Sequence, residues 1–105
     1  MCIESDANAK FGNEIIEGDP HNISVNGKLL LDIIREFNLI IVNSTEKCTG
    51  LITRIQKTKK KDTNEINIEK SVIDFFIVCE DFYNSIIDMK IDEDRLHVLI
   101  NYDTL

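Results

Sequence analysis

Ser71-Val72-Ile73-Asp74-Phe75-Phe76-Ile77-Val78 is the stretch from which the fold is read. It is rich in β-branched and aromatic residues, which favour a strand, and it runs on to Cys79. One acid stands in its middle. With a side-chain period of two, Asp74 shares a face with Val72, Phe76 and Val78, while Ile73, Phe75 and Ile77 point the other way. An ionised carboxylate is costly to desolvate unless a metal, a cation or hydrogen-bond donors meet it. Asp74 is therefore a candidate site residue, suited to orient a catalytic histidine and stabilise its charged form. The structural alternative is an Asp satisfied by a backbone amide or by Arg54 on a neighbouring strand.

Working outward, residues 1–5 are short and partly apolar and read as the end of a strand. Gly12, Gly18, Asp19-Pro20 and several Asn make residues 9–25 a loop. In residues 27–37, Leu30, Ile33, Ile34 and Phe37 recur at helical spacing, with Asp32, Arg35 and Glu36 facing away. Asn26 is the expected N-cap and Asn38 the expected helix end. Leu39-Ile40-Ile41-Val42 suits a short strand buried on both faces. Residues 50–55 read as a further strand and residues 57–70 as a long polar hairpin loop. Residues 82–87 read as a short helical turn, and residues 89–91 and 96–100 as two more strands. Strand, loop and helix followed mostly by strands is an α/β or α+β order, with mainly one mixed or antiparallel sheet and a helix packed on it.

The composition supports a folded domain, or part of one: 105 residues, 43% hydrophobic and 30% charged. No apolar run approaches the roughly 20 residues that span a bilayer, and the N-terminus lacks a signal peptide's basic and apolar regions. A cytoplasmic or nuclear setting is expected. The net charge of −7 argues against a free-standing, non-specific nucleic-acid binder. It leaves room for a metal-dependent enzyme acting on phosphates, where a cation sits between acidic ligands and substrate. Cys2, Cys48 and Cys79 are far apart, odd in number and without a CxxC, and read as reduced core thiols. His21 and His97 add no zinc-ligand spacing.

Asp6 and Asn8 lie two apart after the first strand, so extended backbone puts both side chains on one side. Asp supplies a base or metal ligand, and Asn an amide donor for a phosphate oxygen. Plain turn chemistry explains the same pair. Thr53 and Arg54 can reach a phosphate, although an Arg flanking a strand is as often a surface cation. Lys57-Thr58-Lys59-Lys60-Lys61 can touch a nucleic-acid backbone; as a solvated hairpin tip its field is partly cancelled by Asp62, Glu65 and Glu69. His97 lies opposite Leu96 and Val98 by alternation, with no dedicated acid beside it.

Taken together, these residues resemble the endonuclease/exonuclease/phosphatase superfamily, and most closely the endonuclease domain of non-LTR retrotransposons, which precedes a reverse transcriptase. The Gly-Asp-x-Asn-Ala hallmark is matched by Ser5-Asp6-Ala7-Asn8-Ala9, followed by Lys10-Phe11-Gly12. The Asn-Gly helix and the buried strand after it are matched by Asn26-Gly27-Lys28-Leu29-Leu30-Leu31 and Leu39-Ile40-Ile41-Val42-Asn43-Ser44. Residues 49–54 match loosely a Thr-rich strand, and Ser71-Val72-Ile73-Asp74-Phe75 matches Ser-x-Ile-Asp-Tyr/Phe. The likeness runs from residue 3 to residue 100. It implies part of an α/β sandwich and a phosphodiesterase using Mg²⁺ to nick DNA with an activated water. In that scheme Asp6 aligns or deprotonates the water and helps hold the metal, Asn8 binds the scissile phosphate, and Asp74 orients a catalytic His. DNA is the implied partner, with a reverse transcriptase domain in the same polypeptide.

Departures from the pattern are equally specific. The family's early Asn and metal-binding Glu, and the closing Ser-Asp-His that carries the catalytic His, have no counterpart here. Ser5 stands for the usual Gly, Ala7 for the usual Phe, and Val72 occupies a position often basic in the family. The expectation is a C-terminal-half fragment, inactive alone. Two alternatives stand beside it: a non-catalytic structural or interaction module, and a phosphatase-like member of the same superfamily.

Overall fold

The computed structural model describes residues 9–103 and the backbone of a first strand, β1 (Cys2–Ser5). Asp6, Ala7 and Asn8 lie outside the described residues. After a looped segment come helix α1 (Val25–Glu36), strand β2 (Ile40–Ile41), a 3-10 turn at Val42–Ser44 and strand β3 (Cys48–Thr49). Strands β4 (Arg54–Lys59), β5 (Ile66–Ser71) and β6 (Phe75–Val78) follow, then the short helix α2 (Glu80–Ser85) and strands β7 (Ile86–Asp92) and β8 (His97–Tyr102). The architecture is mixed α+β.

Among the described residues the strands form three small sheets, not mainly one as expected, in the orders β1-β6-β2, β3-β7-β8 and β4-β5; the short strands and the breaks at residues 50–53 and 72–74 keep them separate. β6 is the centre of the first, antiparallel to both neighbours, with Ile3 opposite Ile77 and Ile41 also opposite Ile77 from the other edge. Alternation along β6 sorts the core into two halves. Phe75 and Ile77 join Phe11, Ile16, Ile34, Ile41 and Ile52 on one side. Phe76 and Val78 face Val42, Ile86, Met89 and Ile91 on the other. A strand covered on both faces needs apolar residues at every position, and Phe75-Phe76-Ile77-Val78 supplies them. β2 repeats the pattern: Ile41 packs in the first cluster and Ile40 against the second.

The N-terminus of α1 is built by Ser24 rather than the expected Asn26. The Ser24 hydroxyl accepts the Gly27 N–H at 3.0 Å and the Lys10 N–H at 2.9 Å, so one side chain caps the helix and ties it to the preceding loop. Asn38 ends the helix as expected, with a positive φ of 52°. The helix face is a correction. Ile34 is buried, and Leu30 and Leu31 pack on the core, but Ile33 and Phe37, both expected inside, are 43% and 56% exposed.

Two further expectations are overturned. Residues 57–70 are not a long loop; β4 and β5 pair in register from Arg54 opposite Ser71 to Lys59 opposite Ile66, leaving only residues 60–65 as the tip. Residues 50–55 are not one strand either, since β3 ends at Thr49 and β4 begins at Arg54. Between them, Leu51 and Ile52 turn their N–H groups to the Glu93 carboxylate at 2.8 and 2.9 Å. That carboxylate replaces a strand neighbour. The Ile52 and Leu51 amides hold its pKa below the ordinary value. A depressed carboxyl contributes stability that is present above its unfolded pKa and lost as pH falls through the folded one. The melting temperature of the wild type is therefore expected to fall more steeply on acidification below about pH 4.5 than that of Glu93→Gln, as thermal melts across pH would show. Parallel pH profiles for the two proteins would refute the role of Glu93.

Candidate functional site

Asp74 does not sit inside an unbroken strand. β5 ends at Ser71 and β6 begins at Phe75, so residues 72–74 form a break between two sheets. Thr53 is the cause. Its hydroxyl accepts the N–H of Ile73 at 2.9 Å and the N–H of Asp74 at 3.1 Å. Consecutive amides in a strand point to opposite edges, so two converging on one oxygen require the backbone to leave the extended ladder. The break also moves Val72 into the first core cluster, off the face expected for it beside Phe76 and Val78.

A second polar side chain fixes the other edge. Asn43, 9% exposed, donates its amide to the Asp74 carbonyl at 3.0 Å and accepts the Phe76 N–H at 2.9 Å. β2 has by then turned into the 3-10 segment, and the Asn43 amide continues the hydrogen bonding that β2 would have provided. Asp74 is thus pinned through its own N–H and its own carbonyl, by residues from two different parts of the chain. Phe75, Phe76 and Met89, with Val98 and Ile100 of β8, line a small gap of about 30 Å³ that Asp74 also borders. β1 reaches the same place, because its last residue, Ser5, pairs with Phe75.

The other expected site residues are distributed as follows. Asp6 and Asn8, which follow Ser5 in sequence, lie outside the described residues. Thr53, expected to reach a phosphate, is 5% exposed, and its hydroxyl accepts the Ile73 and Asp74 N–H groups, so in this structure it positions Asp74. Arg54 is exposed at the start of β4. His97 is exposed, first in β8 and opposite Asp92. His21 places its Nε2 3.1 Å from the Lys70 carbonyl oxygen and 3.5 Å from Glu69. Cys48 and Cys79 are free thiols, both partly buried, and burial pushes Cys48 up in pKa. Asn43 was not singled out from the sequence. The available signal was an amide directly after the apolar run Ile40-Ile41-Val42, where a buried polar group needs partners.

The hairpin sorts its charges by face. Strand register puts Ile55, Lys57 and Lys59 with Lys70, Ile68 and Ile66 on one side, and Arg54, Gln56 and Thr58 with Ser71, Glu69 and Asn67 on the other. Glu69 therefore does not offset Lys57, Lys59 and Lys70; it turns toward Lys10, at 3.8 Å, and His21. Among the described residues no three or more His, Cys, Asp or Glu come together as a metal-ligand group. No described helix is long and apolar enough to cross a membrane. Comparison of the chain with protein-family models, with curated proteins and with solved structures yields no match.

Proposed function

We propose that this chain is part of a phosphodiesterase of the endonuclease/exonuclease/phosphatase type, related to the DNA endonucleases of non-LTR retrotransposons and inactive alone. The observation that carries the reading is the clamp on Asp74. Thr53 and Asn43 hold its backbone from both sides, as a carboxylate that must orient another group requires. β8, the strand after which the resemblance expects the catalytic His, borders the same gap as Asp74. β1, which leads into Asp6 and Asn8, ends beside it.

In this reading Asp6 activates water, Asn8 binds the phosphate, Asp74 orients a His that this sequence does not supply, and Arg54 contacts phosphate. Thr53 acts by holding Asp74. On the hairpin, Lys57, Lys59 and Lys70 share one face that carries no acid of β4 or β5, although Glu93 lies near Lys70; that face suits a nucleic-acid backbone. Mg²⁺ belongs to the complete domain, where it would offset charge on the phosphate. The setting would be cytoplasmic or nuclear, and a reverse transcriptase in the same polypeptide is the expected neighbour.

The coding sequence on either side provides the decisive test. A Glu-bearing first half upstream and a Ser-Asp-His downstream would complete the domain, whereas unrelated frames on both sides would sink the proposal. The purified chain is expected to leave supercoiled plasmid intact in Mg²⁺. Robust nicking abolished by Asp6→Ala would overturn the claim of inactivity and uphold the site; nicking indifferent to Asp6→Ala would overturn the site.

A further inference from the structure

We propose that α1 is a self-association surface, on which a second copy of this chain docks antiparallel across a two-fold axis near residue 31. This inference is independent of the catalytic reading. Val25, Leu29, Ile33 and Phe37 are 74%, 60%, 43% and 56% exposed. They recur every four residues, so each lies about 40° around the helix from the last and together they form one continuous ridge. The buried residues Gly27 and Ile34 occupy a different side. The helix is thus apolar over two adjacent faces and spends only one of them on its own core.

Three features select a second copy as the occupant. The ridge is self-complementary in size: reversed about residue 31, Val25 meets Phe37 of the other copy and Leu29 meets Ile33. The exposed flank beside it is self-complementary in charge. A two-fold axis sets like flanks against each other in opposite directions, which brings Lys28 level with the space between Asp32 and Glu36 of the other copy, twice per dimer. The area fits a weak dimer: at roughly 150–200 Å² per side chain the exposures leave about 400 Å² of apolar surface per copy. With the charged flank added, this reaches the small end of specific interfaces. Leu29 and Ile33 flank the axis, so contact is centred on them.

Sedimentation equilibrium of the full chain from about 10 to 500 μM tests this. A monomer–dimer equilibrium with a micromolar Kd is expected. Leu29→Glu and Ile33→Glu, both at exposed positions, should each weaken it at least tenfold without changing the circular dichroism spectrum. Lys28→Glu should weaken it several-fold, and adding Asp32→Lys with Glu36→Lys should restore it. A wild type that stays monomeric at 500 μM, or association indifferent to Leu29→Glu and Ile33→Glu, overturns the proposal.

Discussion

Thr53→Val is expected to lower the stability of this chain by about 2–5 kcal/mol, because the buried Ile73 amide and the part-buried Asp74 amide lose their acceptor and each costs about 1–3 kcal/mol unpaired. Valine matches threonine in shape, so packing is kept and the change isolates the hydroxyl. The Ile73 and Asp74 N–H groups, now at 2.9 and 3.1 Å from Oγ1, would face a methyl group. Thr53 is 5% exposed, so water does not easily replace the lost partner. Thr53→Ser keeps the acceptor and should cost only about 1 kcal/mol, the worth of one buried methyl. Urea denaturation followed by circular dichroism measures both. A valine variant within 0.5 kcal/mol of wild type, taken as about the scatter of a neutral surface change, would show that the clamp does not hold the break.

Gly27→Ala carries the second large effect, and two opposing terms decide its sign. Alanine in a helix is favoured over glycine by about 1 kcal/mol. Against this, a Cβ at position 27 would overlap the carbonyl oxygen of Lys10 and stand 2.9 Å from its carbonyl carbon. That carbonyl cannot move freely, since it accepts the Ser24 N–H at 2.9 Å and the neighbouring Lys10 N–H is held by the Ser24 hydroxyl. Overpacking against fixed backbone costs about 1–3 kcal/mol, to which the disturbed Ser24 cap adds about 1. The balance is a loss of about 2 kcal/mol, or roughly 10 °C in melting temperature for a domain of this size. A melting temperature at or above the wild type's would mean that α1 does not sit against the Lys10 backbone.

Ser24, Thr53, Asn43 and Glu93 share one mode of action. Each lends a side-chain oxygen or amide to backbone groups on a segment distant in sequence: Ser24 to Lys10, Thr53 to Ile73 and Asp74, Asn43 to Asp74 and Phe76, Glu93 to Leu51 and Ile52. The sheets here have two or three strands, so many backbone groups have no strand neighbour. These side chains stand in for the missing ladders. Buried backbone groups must be paired in any fold, and short strands make polar side chains the only remaining source of partners.

How much could be read beforehand varied with the range of the interaction. The existence of α1, its end at Asn38, the two-sided burial of β2 and the alternation of Phe75-Phe76-Ile77-Val78 were all legible, because they follow from neighbours a few residues apart; which face of α1 is buried was not. The hairpin was misread because most of its strand residues are exposed and charged or polar, and the short Ile66/Ile68 alternation was outweighed by the lysine-rich run beside it. Asp74 was marked for its carboxylate, whereas Thr53 and Asn43 pair its backbone N–H and carbonyl. Its identification as a mid-strand residue failed because Thr53, 21 positions away, pulls the chain out of the ladder.

By itself the sequence determined the mixed α+β class, the placing of most elements and the short list of polar residues worth explaining. Periodicity and desolvation cost act locally and leave their mark in composition. Only the tertiary structure decided that Thr53 and Asn43 clamp Asp74, that β8 and the end of β1 meet it, and that one apolar face of α1 stays uncovered. Those outcomes depend on which distant backbone groups find a partner, and a hydrogen bond across 21 or 31 residues has no signature in the residues that make it.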